Sequence, residues 1–278
     1  MIFHSEILSS RDNRIVKWAA SLKEKKGREA AASFIAEGEK LTFEALSADL
    51  PVTHIFINED KKDRILQKLK DSSLSCRYAE CEIYILKSFV FEKISTEIAP
   101  QGVISVIKHL DFFRQMDIIY KEEFSKNTSE RAVILCSVRD PGNLGSVIRS
   151  SVAFGVSHII LSSDCADAYN PKTVRGAMGS LFRVKISRVS NLISTIEQIK
   201  KSGRRVFAAE LSDEAISLTE AGLCGTDIVM IGNEGHGIPS EISAVCTNSV
   251  YIPISSKTES LNASVAAAVF MWEQSKEN

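Results

Sequence analysis

Short apolar runs alternate with amphipathic segments along the second half of the chain, from residue 131 to residue 278. Residues 132–138 (AVILCSV) form a continuous apolar run, which is typical of a strand buried on both faces. Repeated strands and helices of this kind indicate a parallel sheet covered by helices. We predict strands at 132–138, 158–162, 183–186, 205–211, 227–231 and 250–254, and helices at 144–153, 191–200 and 261–272, with a further helix beginning at Asn170-Pro171.

The first 110 residues contain a similar but less regular alternation of elements. The predicted helices are 13–26, a segment after Glu37-Gly38-Glu39, and 61–70, and the predicted strands are 34–36, 53–58 and 103–107. Residues 1–110 are therefore expected to form a small α/β domain. Residues 111–130 contain no Gly or Pro and are expected to be a partly helical linker, and residues 131–278 are expected to form the second domain.

Composition excludes several classes of protein. The length of 278 residues is typical of one or two domains. A net charge of -1 excludes a protein that covers nucleic acid with a uniformly basic surface. No apolar run approaches the roughly 18 residues of a membrane-spanning helix, and the amino terminus lacks the pattern of a secretory signal. The six cysteines form no Cys-x-x-Cys pair, so we expect no zinc site and a cytoplasmic protein without metal.

Charge is distributed unevenly along the chain. Residues 11–28 hold seven basic side chains against two acidic ones, and residues 131–205 hold 12 against 4. Such segments can form a surface that contacts phosphates, although a solvated surface with paired charges is the alternative. The candidate phosphate-contacting residues, which the resemblance described below assigns to RNA, are Arg11, Arg14, Lys23, Lys25, Lys26 and Arg28.

Three loops follow predicted strands, where parallel sheets bind ligands. The first loop, residues 139–145, leads into a helix that carries Arg149 four residues after Gly145, so both lie on one helix face. Exposed main-chain N–H groups and a guanidinium there would suit an anion. The alternative is an ordinary turn whose arginine pairs with a surface carboxylate. The segment lacks the Gly-Lys-Ser/Thr of a P-loop.

The second loop, residues 232–237 (GNEGHG), contains three glycines, which allow the main chain to approach a ligand closely. Glu234 could instead be solvated or capping, and His236 an exposed loop histidine. The third loop, residues 255–262, ends at Asn262, where Ser260 or Asn262 could simply cap the last helix. No Ser–His–Asp or Cys–His spacing supports a hydrolase.

Together the three loops resemble the three motifs of the SpoU (TrmH) family of SPOUT-superfamily RNA methyltransferases. Residues 34–38 and 101–103 resemble the family's substrate-binding domain, and the departures are Ser150-Ser151 where Thr-Ala is frequent and Ser256 where Gly is common. The motif residues are Asn143, Gly145, Arg149, Phe154-Gly155 and Asn170 to Gly179 for the first, Gly232 to Gly237 for the second, and Ile252 to Ile254 with Ser260 to Ala266 for the third.

The resemblance implies a parallel-sheet SPOUT domain whose carboxyl-terminal part is threaded into a deep trefoil knot, preceded by a small RNA-binding domain. It implies S-adenosylmethionine as cofactor, a homodimer, and a ribose 2′-hydroxyl in ribosomal or transfer RNA as substrate. The discrete amino-terminal domain favours 23S ribosomal RNA over transfer RNA. Cofactor contacts are expected at Gly232, Gly237, Ile252 and Leu261.

The resemblance also suggests roles for side chains. Arg149 would bind the phosphate beside the target ribose and stabilise charge on oxygen. Asn143 and Asn262 would hold the loops and the ribose, and Ser260 would bond RNA or brace the third loop. Glu234 would orient Arg149 or Asn143, with a role as general base less favoured, and Arg175 is expected to contact RNA.

Two other classes of function stay open at this point. A protein of the same fold could have a silent site and act only as an RNA-binding or ribosome-assembly factor. A nucleotide-dependent α/β enzyme would instead bind NAD or ATP. A methyl-transfer assay on total RNA and calorimetry with each ligand separate these alternatives.

Overall fold

The computed structural model describes residues 1–71, 78–111, 113–124, 130–233 and 235–276. The chain forms two compact units, which we call the amino-terminal and carboxyl-terminal units. The amino-terminal unit comprises Met1–Leu110 and Asp167–Phe182, and the carboxyl-terminal unit comprises Asp111–Ala166 and Arg183–Asn278. This division differs from the predicted domains because residues 167–182 pack with the first unit rather than the second.

A five-stranded mixed sheet with strand order β1-β4-β3-β5-β2 forms the centre of the amino-terminal unit. Strands β1, β4 and β3 are parallel, whereas β5 runs antiparallel to both β3 and β2. The elements are β1 Ile2–Leu8, α1 Arg14–Ser21, α2 Lys25–Ala31, β2 Ser33–Glu37, α3 Glu39–Ser47, β3 Val52–Asn58, α4 Lys62–Asp71, β4 Glu82–Leu86, α5 Ser88–Ile94 and β5 Val103–Lys108.

The segment predicted as one helix over 13–26 is two helices, α1 and α2, so that prediction is wrong. The break leaves the carbonyl oxygens of Leu22 and Lys23 without helical partners, and the Arg28 guanidinium donates to both, at 3.0 and 2.7 Å. Arg28 also donates to Asp167 Oδ2 at 2.6 Å and is only 2% exposed. This residue was expected to contact RNA; burial and its bonds to the protein remove it from the candidate set.

Aromatic stacking accounts for the placement of residues 167–182 in the amino-terminal unit. The ring of Tyr169 stacks on Phe34 and on His109, with centroids 4.5 Å apart in each case. Its hydroxyl accepts a hydrogen bond from the Leu110 main-chain N–H at 2.8 Å. Helix α7, Pro171–Ala177, follows, and it begins as predicted with an Asn170 cap and a proline in the first turn.

An eight-stranded sheet with strand order β11-β13-β10-β12-β7-β8-β9-β6 forms the centre of the carboxyl-terminal unit. Every strand pair in it is parallel, which confirms the predicted parallel sheet. The elements are β6 Phe113–Met116, β7 Arg131–Leu135, α6 Pro141–Ala153, β8 Val156–Ser162, β9 Lys185–Val189, α8 Leu192–Lys201, β10 Val206–Ala209, β11 Ile216–Ser217, β12 Ile228–Ile231, α9 Ser240–Ser243, β13 Asn248–Tyr251 and α10 Ala263–Ser275.

Two elements of this unit differ from the prediction, and the second of them affects the site. The expected linker contributes β6, which pairs with β9 at the edge of the sheet. Strand β13 ends at Tyr251 rather than at residue 254, and Pro253 has no main-chain N–H with which to extend the sheet. Residues 252–254 therefore leave the sheet at its carboxyl edge.

Cysteine side chains in the described part of the chain are free thiols. Burial raises the pKa of Cys81 to about 12 and of Cys136 to about 11, so both stay protonated at neutral pH. Cys76 lies outside the described residues. Within the described ranges, no helix has the length and apolar character needed to cross a membrane.

Candidate cofactor and active site

A cavity of about 440 Å³ opens at the carboxyl ends of three neighbouring strands, β13, β10 and β12. Its volume lies within the roughly 300–1,000 Å³ of small-molecule sites. The lining combines aliphatic and aromatic side chains with the main chain of the second and third loops, a surface suited to a flat heterocycle held by peptide groups. The lining residues include Gly232, Gly237, Ile252, Ser260 and Leu261, which the sequence assigned to the site, and also Ile231, Ile238, Ile254, Phe270, Asn233, His236 and Glu210.

Position 232 has room only for glycine. A Cβ built there would lie 2.7 Å from the carbonyl carbon of Gly237 and 2.8 Å from Cγ1 of Ile238. The second loop closes on itself through two main-chain hydrogen bonds between Asn233 and Gly237, at 2.9 and 3.2 Å. Gly237 has φ +65°, a conformation that glycine adopts without strain.

Asn233 fixes the shape of the second loop and was missing from the sequence-predicted site. Its Oδ1 accepts the main-chain N–H of Gly235 at 2.8 Å, and its Nδ2 donates to the carbonyl oxygen of Ser137 at 2.9 Å. Ser137 follows strand β7 and has φ +58°, a costly conformation for a non-glycine residue. The signal in the sequence was an asparagine beside glycines, which is typical of such turns.

Asn262 joins the third loop to the first motif. Its Oδ1 accepts the main-chain N–H of Ser264 at 2.9 Å and caps α10, so the capping alternative is confirmed for Asn262 rather than for Ser260. Its Nδ2 also donates to Oδ1 of Asn143 at 3.0 Å. The cap and the link between motifs are therefore functions of one side chain, and Ser260 is exposed at the cavity.

Asn143 lies in the first turn of α6, because this helix begins at Pro141 rather than at the expected residue 144. Asp140 caps the helix by accepting the Asn143 N–H at 2.9 Å, and Pro141 occupies the first turn. The helix packs against α10. This packing brings Asn143 and the start of α10 together.

Arg149 is exposed on α6 and is not among the residues that line the cavity. Its guanidinium forms no hydrogen bond or ion pair with any other residue in the described ranges. The alternative interpretation, in which Arg149 pairs with a surface carboxylate, therefore finds no partner among those residues. Glu234, the partner expected from the sequence, lies outside the described residues. The arrangement leaves the Arg149 guanidinium able to bind an anion.

A carboxylate beside the first loop is held ionised. Burial alone would raise the pKa of Asp164, but hydrogen bonds from Ser162, Arg139 and Ser137 outweigh it and lower the pKa to about 2. The Arg139 guanidinium lies 2.9 Å from Oδ2 of Asp164. This surface pair connects the loop that leads into α6 to the segment after β8.

Glu210 is a second site residue that the sequence analysis missed. It follows strand β10 directly, lines the cavity, and accepts a hydrogen bond from Ser249 Oγ at 2.7 Å. Ser243 Oγ donates to the same carboxylate oxygen. The rule that ligands bind at the ends of parallel strands did not identify it, because the predicted strand 205–211 placed Glu210 inside the strand, whereas β10 ends at Ala209.

The remaining basic candidates all lie in the amino-terminal unit. Arg11 pairs with Glu92 at 3.5 Å, and Lys25 pairs weakly with Glu29 at 3.7 Å. Lys23 donates to the carbonyl oxygen of Ser95 at 3.1 Å, and burial lowers its pKa. Arg175 is exposed and paired with Glu97, whereas Arg14 and Lys26 have no hydrogen-bond or ion-pair partner in the described part of the chain.

The family follows from comparison with known proteins. Residues 130–272, more than half of the chain, match the SpoU rRNA methylase family, and residues 13–105 match the MRM3-like substrate-binding domain. The chain is 29% identical over 267 residues to the 23S rRNA (guanosine(2553)-2′-O)-methyltransferase RlmP of Bacillus subtilis, covering 96% of this chain and 98% of that protein.

Two solved structures are similar over nearly the full length. A TrmH-family protein from Porphyromonas gingivalis is 30% identical, with a TM-score of 0.78 over 97% of this chain and 98% of that one. An AdoMet-bound rRNA methyltransferase from Sinorhizobium meliloti is 27% identical, with a TM-score of 0.79 over 97% of each chain. The resemblance carried by the three loops is confirmed, and this chain belongs to the SpoU rRNA methylase family.

Proposed function

We propose that this protein transfers a methyl group from S-adenosylmethionine to a ribose 2′-hydroxyl of 23S ribosomal RNA. The observation that carries the proposal is the cavity at the ends of β13, β10 and β12, which gathers Gly232, Gly237, Ile252 and Leu261 from two distant loops. A similar rRNA methyltransferase was solved with AdoMet bound, and the Bacillus subtilis relative is named for 2′-O-methylation of 23S rRNA.

The residues of the cavity fit this cofactor. The side chains of Ile231, Ile252, Leu261 and Phe270 provide an apolar surface for the adenine, and the main chain at Gly232 allows close approach. When bound, S-adenosylmethionine supplies a methyl group on a cationic sulfur, which needs no metal to activate it. The protein then has to position the ribose, and the proton of its 2′-hydroxyl has to be removed.

Arg149 binds the phosphate beside the target ribose and stabilises negative charge that develops on the 2′-oxygen. Its exposure and its lack of a partner in the described ranges support this role. A guanidinium keeps its proton at neutral pH, so we assign electrostatic stabilisation rather than base catalysis to Arg149. Glu234 orients Arg149 or Asn143, and Ser260 bonds the RNA or braces the third loop.

The amino-terminal unit recognises the RNA by its backbone and shape. Its contacts come from Arg11, Arg14, Lys23, Lys25, Lys26 and Arg175, with Arg28 left out because it is buried. Several of these cations are held by surface partners, which RNA phosphates can replace because exposed ion pairs stabilise the fold little.

The resemblance extends the proposal to assembly and location. We infer a cytoplasmic homodimer with the active site near the interface between its subunits. We also infer a deep trefoil knot in the carboxyl-terminal part of residues 131–278. Gel filtration with light scattering tests the dimer, and a monomer that still methylates RNA would contradict its role in the site.

The proposal is tested by calorimetry with S-adenosylmethionine, NAD and ATP, followed by transfer of a tritiated methyl group to total RNA. We expect binding of S-adenosylmethionine alone, and label in 23S rRNA as an alkali-resistant 2′-O-methyl nucleotide. Label in transfer RNA would reassign the substrate. Cofactor binding without transfer to any RNA would indicate a silent binding protein, and no cofactor binding would overturn the proposal.

A further inference from the structure

A second cavity, of about 560 Å³, lies in the amino-terminal unit and has no role in the chemistry above. We call it the aromatic pocket. One wall is β1, from which His4, Glu6 and Leu8 all line the pocket, although the pairing of this strand with β4 is irregular between Phe3 and Ile7. The other residues that line it are Asn13, Arg14, Ile15 and Trp18 of α1 and its cap, and Tyr84 of β4.

The aromatic rings of the pocket are held in place by their neighbours. The rings of His4 and Tyr84 are stacked, with centroids 4.2 Å apart and planes 6° from parallel. Trp18 rests against His54, with centroids 4.6 Å apart. Glu82 accepts a hydrogen bond from the Tyr84 hydroxyl and lies 2.9 Å from Nε2 of His4. Rings fixed in this way lose little entropy when a flat ligand stacks on them.

Two charged side chains at the pocket have no partner among the described residues. Arg14 and Glu6 are exposed and form no hydrogen bond or ion pair with other residues in the described ranges. Arg14 precedes Trp18 by one helical turn, so the guanidinium and the indole lie on the same side of α1. The pocket therefore combines flat aromatic faces with a free cation and a free carboxylate acceptor.

We propose that the aromatic pocket binds an unpaired nucleobase of the RNA substrate, stacked on Trp18, with its phosphate on Arg14. Glu6 accepts an N–H from the edge of the base. This combination of stacking, backbone charge and edge hydrogen bonding is how proteins recognise unpaired RNA. The inference rests on the proposed RNA substrate and adds a second point of contact, in the other unit of the chain.

Charge favours RNA over a peptide as the occupant. Aromatic faces also attract lysine and arginine side chains through cation–π contacts. A cationic peptide would, however, meet Arg14, which has no partner in the described ranges, and the segment 11–28, which without the buried Arg28 still holds six basic side chains against two acidic ones. The same charges attract the RNA backbone.

Tryptophan fluorescence provides the test, because the chain has only two tryptophans, Trp18 and Trp272. In a Trp272→Phe background the emission comes from Trp18 alone. We expect saturable quenching by the single-stranded hexaribonucleotides hexaadenylate and hexauridylate, since a stacked base quenches indole. A 12-base-pair RNA duplex, whose bases are already paired and stacked, should quench little at the same concentration.

Variants measured by binding of fluorescein-labelled hexaadenylate give the second arm. Trp18→Ala should weaken binding by roughly 5- to 100-fold, Trp18→Phe should retain most of the affinity, and Arg14→Ala should weaken binding and its salt dependence. Lys70→Ala, which removes an exposed cation on α4 outside the pocket, is the matched control. Circular dichroism and calorimetric binding of S-adenosylmethionine check that each variant is folded.

The outcomes separate this proposal from the proposed function. No quenching by either hexaribonucleotide, or unchanged affinity in folded Trp18→Ala and Arg14→Ala, overturns the aromatic pocket as a base site even if the enzyme methylates RNA. Quenching by the duplex as strongly as by the single strands also overturns it. A protein that binds the oligonucleotides through Trp18 but neither binds S-adenosylmethionine nor transfers methyl groups keeps the pocket and loses the proposed function.

Discussion

The side-chain amide of Asn262 donates from Nδ2 to Oδ1 of Asn143 at 3.0 Å, across 119 positions of sequence. The first residue caps α10, which follows the third loop, and the second lies in the first turn of α6. The bond therefore connects the helix that closes the cofactor cavity to the helix that carries Arg149. If Arg149 binds RNA as proposed, this contact joins the cofactor site to the RNA site.

Asn262→Ala removes both the cap and this link, whereas Asn262→Ser keeps a capping oxygen and loses only the amide donor. We expect a loss of about 1 kcal/mol in the free energy of unfolding for the alanine variant, and much less for serine. Methyl transfer should fall in both. A double-mutant cycle with Asn143→Ala should give a coupling of about 1 kcal/mol, and strictly additive effects would contradict the link.

Gly232→Ala should abolish or strongly weaken binding of S-adenosylmethionine. The added Cβ would lie 2.7 Å from main-chain carbon of Gly237, so the second loop must move out of the cavity. Gly235→Ala is the matched control in the same loop, because its Cβ meets Asn233 Oδ1 at an ordinary 3.4 Å. Isothermal calorimetry measures the affinity of both variants for S-adenosylmethionine, and equal affinities would refute the steric argument.

Arg149→Ala should reduce the rate of methyl transfer by roughly 100-fold or more, as expected when one group that stabilises developing charge is lost. The dissociation constant for S-adenosylmethionine should change little, since Arg149 does not line the cavity. Arg149→Lys keeps the charge but not the planar donor pair and should recover only part of the rate. A near-normal transfer rate in Arg149→Ala would remove this residue from the mechanism.

Arg28→Ala should destabilise the protein by about 3 kcal/mol, because it leaves Asp167 and two carbonyl oxygens without their partner. Lys25→Ala, three residues earlier, removes an exposed charge and should change stability by less than about 0.5 kcal/mol. Urea unfolding compares the two. A stable Arg28→Ala variant with weakened RNA binding would restore the role that the sequence suggested.

His158 makes the fold sensitive to acid. His158 lies on β8, and its ring is fully buried. Burial, together with the nearby cations Lys185, Arg114 and Arg204, lowers its pKa from 6.5 to about 3. The unfolded chain therefore takes up a proton near pH 6.5 and the folded chain does not, so this residue costs stability as pH falls from 7 towards 3.

His158→Gln removes this titration. Between pH 7 and pH 5 the free energy of unfolding of the wild type should fall by about 2 kcal/mol more than that of the variant. Urea unfolding at both pH values measures the difference, which does not depend on how much the variant is destabilised overall. If the free energy of unfolding falls by the same amount in the wild type and in the variant, His158 is also protonated in the folded state.

Sequence patterns identified the parallel sheet, and the resemblance to the family added five of the residues that line the cavity. Buried strands appear as apolar runs, and Gly232 and Gly237 mark a loop whose main chain needs space. Strand β1 was missed because it lies at the edge of its sheet with most of its side chains exposed, so no apolar alternation appears. Three of its residues, His4, Glu6 and Leu8, line the aromatic pocket.

Features that depend on distant contacts could not be predicted from the sequence. Arg28 stands in a basic segment and has the local pattern of a surface cation; only its pairing with Asp167, 139 positions away, makes it structural. Asn233 and Glu210 became visible as site residues once the ends of β10, β12 and β13 were placed side by side.

The assignment of residues 167–182 to the amino-terminal unit has a consequence for biosynthesis. The chain leaves this unit after Leu110, returns at Asp167 and leaves again after Phe182. During translation Tyr169, the stacking partner of both Phe34 and His109, therefore emerges from the ribosome only after β7 and β8 of the other unit. A truncation at residue 110 would lack Tyr169 and Asp167, so the amino-terminal unit completes its folding only after both units have begun to form.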